Sequence, residues 1–165
     1  MRRRHLVGVA AIEAASNGRP WSRELFEEEL VQQASRCFVA VIPHATVVGF
    51  GCLMTTGFET HVTNLAVDSQ RRRQGIGRLL LARLIRESLA LGVDAVTLEV
   101  RATNQGAQEL YRGFGFAPGG IRPRYYADTG EDALVMWAHG IGSTESLERL
   151  ERFESPLAGA RRMAR

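Results

Sequence analysis

The sequence predicts a layered α/β (α+β) domain in which helices flank a mixed central β-sheet. Apolar runs of strand length alternate along the chain with segments whose apolar residues recur at helical spacing. In the middle of the chain the order is strand, glycine-rich turn, helix, strand, helix, strand, which is typical of layered folds. A chain of 165 residues is long enough for one domain to bury its own core. We predict that this domain occupies residues 1–139 and that residues 140–165 form a charged tail with at most one short helix.

Two helices and a β-hairpin are predicted in the N-terminal third. Apolar residues recur at helical spacing from about His5 to Ala15, and the segment SNGRP then breaks the helix. A second helix is predicted within PWSRELFEEEL, where Ser22 is a candidate N-cap. The apolar segments RCFVAVI and VVGFGCLM follow as two strands, and the short turn PHAT joins them.

The rest of the domain alternates strands and helices. HVTNLAV is predicted as a third strand, and a leucine-rich helix follows Gly77 and ends at Gly92. AVTLEV is the next strand, NQGAQELYRGFGF a short helix, and ALVMWAH the last strand. Tyr125 and Tyr126 are placed in a loop before that last strand.

Composition and charge narrow the function. The formal net charge is +3, and arginine supplies all 21 basic residues because the chain contains no lysine. Guanidinium groups bind phosphate oxygens in pairs, so this composition favours discrete anionic contacts over a diffuse nucleic-acid surface. Cys37 and Cys52 are predicted to be buried thiols that the hairpin brings near one another, and no metal-ligand spacing is present.

The sequence predicts a cytoplasmic protein. No apolar run approaches the roughly 20 residues that a membrane-spanning helix needs. The N-terminal segment MRRRHLVGVAAIEAA is basic and then apolar, but Glu13 interrupts it, so it fits a signal peptide poorly.

The segment RRRQGIGR is a candidate phosphate cradle. A strand that turns through Gly75 and Gly77 into a helix directs unpaired backbone N–H groups at one point, and Arg72, Arg73 and Arg78 add positive charge. Taken alone, the pattern also fits a tight turn with solvated arginines. The sequence has neither the lysine of a P-loop nor a GxGxxG pattern followed by an acidic residue, which disfavours nucleotide hydrolysis and dinucleotide binding.

The sequence on both sides of this segment resembles that of a known protein family. NLAVDSQRRRQGIGRLLL, with its R-x-x-G-x-G core, resembles the acetyl-CoA pyrophosphate loop of the GNAT family of N-acetyltransferases. LEVRATNQGAQELYRGFGF is similar to the second half of the same core. RPWS and RPRYYADTGEDALVM are similar to the RimI-type subgroup, which acetylates protein N-termini. The resemblance covers roughly Arg4 to Ala138.

The resemblance implies the fold, the co-substrate and the partner. It implies a GNAT fold with a splayed strand pair that binds acetyl-CoA, and direct transfer in a ternary complex to the N-terminal alanine of a small-subunit ribosomal protein. We expect a monomer with no membrane or direct nucleic-acid partner. The cofactor-binding residues that it implies are Leu65, Ala66, Val67, Arg72, Arg73, Gln74, Gly75, Ile76, Gly77, Arg78 and Asn104. Trp21, Tyr125 and Tyr126 are the implied substrate-binding residues.

Two side chains carry the implied catalysis. By resemblance Glu99 is the general base, acting through water, and Tyr111 is the general acid that protonates the coenzyme A thiolate. From the residues alone, the commoner interpretation is that Glu99 is a solvent-facing strand residue and Tyr111 a core aromatic. Glu59 and His61, which precede the third strand's cofactor-binding end, are rival bases. Both cysteines lie on the hairpin strands, away from these residues, which argues against an acetyl-enzyme.

The sequence departs from the family pattern in two places. The strand that usually precedes the first helix is short or missing. After Val67 and Asp68 a proline and an aromatic residue are common, whereas this chain has Ser69 and Arg71. Two other functions stay open: acetylation of a lysine or small-molecule amine, and a non-catalytic acyl-CoA-binding or RNA-associated module, which the arginine content favours.

Overall fold

The computed structural model describes the backbone of residues 1–43 and 46–162 and the side chains up to residue 153. Residues 44 and 45 of the PHAT turn lie outside the described residues. After a short 3₁₀ turn at Arg3–His5, the helices and strands are α1 Leu6–Ser16, α2 Arg23–Val31, β1 Ser35–Ile42, β2 Thr46–Thr55, β3 Thr60–Val67, α3 Ile76–Ala90, β4 Ala95–Arg101, α4 Gln105–Gly113, β5 Ala117–Tyr126, β6 Glu131–His139 and α5 Thr144–Arg162.

A mixed six-stranded sheet forms the centre of the fold, in the order β1-β2-β3-β4-β6-β5. Only the β3–β4 pair is parallel, and the other neighbours are antiparallel. The predicted fold class is confirmed, as are the two N-terminal helices, and the Ser22 hydroxyl caps α2 by accepting the Leu25 N–H. Among the described residues, none of the helices is both long and apolar enough to cross a bilayer.

Helices cover both faces of the sheet. On one face α3 packs closely on β2, and the glycines Gly49 and Gly51 leave room for it. A Cβ at Gly49 would lie only 3.0 Å from Leu80, and one at Gly51 only 3.0 Å from Leu84. On the other face α1 and α2 pack their apolar side chains against Phe50 of β2. The sheet is therefore held between two apolar layers, and burial of these layers is the main stabilising contribution to the fold.

The parallel pair of strands separates part-way along its length. β3 and β4 pair only from Thr60 to Val62, which face Val96 to Leu98. At the same point Thr63 is an extra residue in the β2–β3 ladder, since Val62 pairs with Leu53 and Asn64 with Cys52. Such a bulge bends the strand that carries it. The bend at Thr63 accounts for the predicted splay, which is confirmed.

The prediction of a loop before the last strand is wrong. Residues Ala117–Tyr126 form β5, which pairs with β6, so Tyr125 and Tyr126 are strand residues. The sequence APGGIRPRYY has two prolines and two glycines, which normally indicate a turn. This strand tolerates them because it lies at the edge of the sheet and shifts register twice.

Two further expectations concern the ends of the domain. Within the described residues no strand precedes α1. The segment after Gly140 contains a helix of 19 residues, not a short one. Ile141 and Leu150 of that segment are buried in the main core. The boundary at residue 139 stays a prediction, but part of the charged segment packs on the domain.

The two cysteines are near one another, as predicted. Cys37 and Cys52 are directly opposed residues of the β1–β2 ladder, and both are free thiols. Cys52 is fully buried, whereas Cys37 is partly exposed.

Candidate active site

A cleft of about 1150 Å³ opens where β3 and β4 separate. Its walls come from the diverging strands, the N-terminal end of α3, one face of α4, the loop between α1 and α2, and the end of β5. The structure brings nearly all of the predicted site residues into this cleft. Among the described residues, Gln74 and the rival base Glu59 belong to the predicted set but do not line it.

The segment predicted to be a phosphate cradle lies at the start of α3 and borders the cleft. Gly75 has a φ of 83° and precedes the first helical turn, where no side chain caps the free N–H groups of Ile76, Gly77 and Arg78. A Cβ at Gly75 would meet nothing within 4 Å, so the space beside this turn is open. Arg72 and Arg78 also line the cleft. Unpaired N–H groups and guanidinium groups are together a strong site for a diphosphate.

The cleft fits the chemistry of acetyl-CoA along its length. β3 has no partner on β4 beyond Val62, so the main chain of Leu65, Ala66 and Val67 faces the cleft and can bind an amide-rich arm. The side chain of Asn104 caps α4 by accepting the Ala107 N–H at 3.1 Å, and it also lines the cleft. The expected structural role of Asn104 is confirmed, and its contact to coenzyme A stays a prediction.

A histidine and a glutamate meet across the separating strands. His61 Nε2 lies 2.5 Å from Glu99 Oε2, and Arg122 Nη2 lies 3.1 Å from Glu99 Oε1. Only 6% of the Glu99 side chain is exposed, against 28% of His61. The hydrogen bond from His61 lowers the pKa of Glu99 below its ordinary value, and the Arg122 charge adds to this effect. Glu99 is therefore an ionised, fixed carboxylate rather than a solvated strand residue.

The rival bases have different positions in the structure. His61 is hydrogen-bonded to Glu99, so these two candidate bases form one pair, and which of them takes the proton stays a prediction. Glu59 lies in the β2–β3 turn, where its carbonyl oxygen accepts the Thr56 N–H at 3.0 Å. Glu59 is thus part of a turn outside the cleft.

Tyr111 belongs to both the core and the cleft. Its ring packs 5.8 Å from that of Phe116, centroid to centroid, and the side chain is buried. Within the described part of the chain its hydroxyl makes no hydrogen bond to another residue, and the side chain lines the cleft. Burial raises the pKa of Tyr111 well above its usual range, so the phenol stays protonated. The core-aromatic interpretation of Tyr111 is confirmed, and its role as general acid stays a prediction.

The predicted substrate-binding aromatics form two opposed walls. Trp21 lies in the loop between α1 and α2, and its backbone N–H donates to Glu13 Oε1 at 3.2 Å. Tyr125 and Tyr126 stand at the end of β5, and their rings pack edge to face. The walls approach one another closely, because a Cβ at Gly18 would overlap Asp128. This rim encloses the end of the cleft that lies away from the phosphate cradle.

Sequence reasoning missed three charged residues that hold this end of the cleft. Arg101 binds Asp128 at 2.7 Å and Glu131 at 3.3 Å, and its guanidinium lies 4.0 Å from the Tyr126 ring centroid. Arg122 binds Glu99, as described above. Glu13 is 1% exposed and supports Trp21. The signal for Glu13 was available, because it is a charged residue on the apolar face of α1.

Comparison with known proteins supports the resemblance seen in the motifs. Residues 6–116 match the profile of the acetyltransferase (GNAT) family. The ribosomal protein bS18-alanine N-acetyltransferase of Escherichia coli K12 is 36% identical over 128 residues, which are 76% of this chain and 84% of that protein. The N-alpha-acetyltransferase RimI of Mycobacterium tuberculosis H37Rv is 37% identical over 121 residues, 71% of this chain and 74% of that one.

A solved structure has the same architecture. The crystal structure of the ribosomal-protein-S18-alanine N-acetyltransferase from Escherichia coli superposes with a TM-score of 0.75 at 32% sequence identity. The superposition covers 85% of this chain and 90% of that one. On these grounds, and with the acyl-donor cleft in place, the chain belongs to the GNAT family of acetyltransferases and is an N-acetyltransferase that uses acetyl-CoA.

Proposed function

We propose that this enzyme acetylates the N-terminal α-amine of a protein, and that its target is the N-terminal alanine of a small-subunit ribosomal protein. The observation that carries the proposal is the placement of the His61–Glu99 pair and Tyr111 in one cleft with the phosphate cradle. The names of the similar proteins from Escherichia coli and Mycobacterium tuberculosis support the choice of an N-terminal amine, and that from Escherichia coli supports the choice of a ribosomal protein.

The proposed substrate suits the proposed base. An α-amine has a pKa near 8, so its neutral form costs about 1 kcal/mol at pH 7, whereas a lysine side chain costs roughly 4.6 kcal/mol. An ionised glutamate with a lowered pKa is a weak base, which is sufficient for the first amine and poor for the second.

The His61–Glu99 pair takes the proton from the attacking amine. Glu99 accepts it through a water molecule, or holds His61 so that the imidazole accepts it. With His61 Nε2–H donated to Glu99 Oε2, the Nδ1 atom of the ring has a free lone pair. Arg122 keeps the other carboxylate oxygen in place. In either route the carboxylate stabilises the positive charge that develops on the amine side.

Tyr111 supplies the proton at the other end of the reaction. Bound acetyl-CoA provides the activated acyl group, and transfer to the amine leaves a thiolate that needs a proton. The phenol of Tyr111 is protonated over the whole physiological range because burial raises its pKa. The main chain of Leu65, Ala66 and Val67 binds the thioester end, and transfer is direct, since Cys37 and Cys52 lie away from the cleft.

The rim formed by Trp21, Tyr125 and Tyr126 selects the substrate. An N-terminus enters between two aromatic walls that are held close to one another, and its first peptide units pack on the rings.

We further propose that the enzyme works as a cytoplasmic monomer without direct contacts to nucleic acid.

A peptide panel tests the function. The release of coenzyme A thiol from acetyl-CoA is measured with free peptides starting Ala-Arg, Met and Ser, and with an N-blocked peptide that contains an internal lysine. We expect turnover on the free Ala terminus and none on the blocked peptide. Preference for the blocked lysine peptide would contradict the N-terminal assignment, and coenzyme A binding without any turnover would contradict catalysis.

A further inference from the structure

A second hollow of about 420 Å³ lies beside the acetyl-CoA cleft. It is lined by Arg78, Gly113, Arg149, Arg152 and Phe153. Three of these residues, Arg78, Gly113 and Phe153, also line the main cleft. The two spaces are therefore adjacent, and Arg78 of the predicted phosphate cradle lines both.

The outer wall of this hollow comes from α5, which lies beyond the residues 6–116 that match the family profile. Leu150 anchors the helix in the core. The Phe153 ring packs on Phe114 with 4.5 Å between centroids, and the Arg78 guanidinium lies 5.4 Å from the Phe153 centroid. Arg149 packs against Gly115, where a Cβ would clash with its guanidinium. The wall is thus built by specific packing contacts.

The hollow is strongly cationic. Arg78, Arg149 and Arg152 converge on it, and the described anionic partner of this set is Glu145, which pairs with Arg149 at 2.6 Å and is 79% exposed. An exposed partner of this kind is screened by solvent and is readily exchanged for a stronger anion. Guanidinium groups bind phosphate oxygens in pairs, and an aromatic ring beside them offers a surface for a base.

The order of the chemical groups along coenzyme A indicates which of them would occupy this hollow. In the proposed site the thioester arm would lie between the separated strands, and the diphosphate would lie at the cradle of Gly75 and Gly77. The adenosine, with its 3′-phosphate, comes next along the molecule and must lie beyond the cradle. The hollow beside Arg78 is the adjoining space.

We propose that α5 forms the binding site for the adenosine 3′-phosphate of coenzyme A, with Arg149 and Arg152 on the phosphate and Phe153 against the adenine. The proposal rests on the use of acetyl-CoA that the proposed function requires. It makes the charged C-terminal segment a part of the cofactor site and gives the enzyme a means of distinguishing coenzyme A from its 3′-dephospho form.

The test is direct titration of the protein with coenzyme A and with 3′-dephospho-coenzyme A, without any peptide. We expect Arg149→Gln and Arg152→Gln each to weaken coenzyme A binding by about tenfold and to leave the binding of the dephospho form unchanged. Arg23→Gln is the control, because Arg23 pairs with Glu27 on the exposed face of α2. This variant should bind both ligands as the parent protein does.

Equal losses for the two ligands, or no loss for either, would overturn the proposal. Circular dichroism melting checks that each variant folds, and Arg149→Lys serves as a second variant that keeps the charge but loses paired hydrogen bonding. The titration is independent of acetyl transfer, so a wrong peptide substrate would not affect its result. On the parent protein, 3′,5′-ADP should compete with coenzyme A more strongly than 5′-ADP, and equal competition would count against the site.

Discussion

His61 Nε2 and Glu99 Oε2 lie 2.5 Å apart, although β3 and β4 cease to pair one residue after His61. The pair therefore lies at the opening between the strands, where we propose that the attacking amine and the acyl donor meet. Because Arg122 holds the second carboxylate oxygen, Glu99 has little freedom to turn away from His61. The two residues are expected to act as one unit.

Glu99→Gln should lower kcat by about 100-fold and leave the KM for acetyl-CoA unchanged, because proton removal is lost while the cofactor contacts remain. Glu59→Gln is the matched control, since Glu59 is outside the cleft, and it should retain full activity. Release of coenzyme A thiol from acetyl-CoA measures both. A Glu99→Gln enzyme with unchanged kcat would remove the pair from the mechanism.

The stability of the protein should depend on Glu99 in a defined pH range. The folded-state pKa of Glu99 is lowered from 4.5, so the unfolded chain binds more protons at mildly acidic pH. The stabilisation is fully present above about pH 5 and is lost as the pH falls through the folded-state pKa. The difference in unfolding free energy between the parent and Glu99→Gln should therefore shrink below pH 4.5, as measured by urea titrations. A constant difference would contradict this origin.

Tyr111→Phe should reduce kcat by at least tenfold while the unfolding free energy changes little. The hydroxyl makes no hydrogen bond among the described residues, so its removal leaves no partner unsatisfied. The raised pKa of Tyr111 also predicts that activity will not fall through its ionisation up to about pH 10. A pH profile of kcat for the parent enzyme and for Tyr111→Phe checks this prediction. An alkaline limb that disappears in the Phe variant would show that the phenol ionises within the working range.

Two glycine substitutions should have opposite effects on stability. A Cβ would meet nothing within 4 Å at either Gly75 or Gly106. Gly75→Ala should destabilise the protein by about 1 kcal/mol because its φ of 83° is unfavourable for alanine. Gly106→Ala should stabilise it by roughly 0.5–1 kcal/mol because Gly106 lies in α4, where alanine is the better helix former. Urea unfolding measures both, and equal signs would refute the backbone argument.

Arg101→Lys should raise the KM for the peptide several-fold and leave the KM for acetyl-CoA unchanged. Lysine cannot bind Asp128 and Glu131 with a planar fork or stack on Tyr126, so the aromatic wall loses its support. Arg83→Lys is the control, because Arg83 lies on α3 and pairs with Glu87. Steady-state kinetics with each substrate varied in turn separates the two constants. An equal rise in both would indicate a general loss of structure.

Local sequence patterns were sufficient for most of the elements and for the cofactor side of the site. Apolar periodicity identified the helices and the strands that pack on them, because each element buries one face in a continuous layer. The cradle was visible because its glycines, arginines and following helix are adjacent in the sequence. Composition misled where a strand lies at the sheet edge, since β5 can contain prolines and glycines that an inner strand excludes.

Features that depend on register were beyond sequence reasoning. The bulge at Thr63 exists only in relation to β2, and the meeting of His61 with Glu99 depends on how β3 aligns with β4. α5 was interpreted as a tail because its apolar residues Leu147, Leu150 and Phe153 are few and separated by charges. Those three residues all contact the main core, which only the tertiary structure reveals.

The arginine lining of the cofactor cleft also determines what the enzyme's own substrate can do to it. Thioesters acylate neutral amines without a catalyst, and a lysine beside bound acetyl-CoA would in time lose its charge in this way. Guanidinium groups remain protonated and unreactive under the same conditions. With no lysine in the chain, the positive charge that arginine gives to the site is protected from self-inactivation by acetyl-CoA.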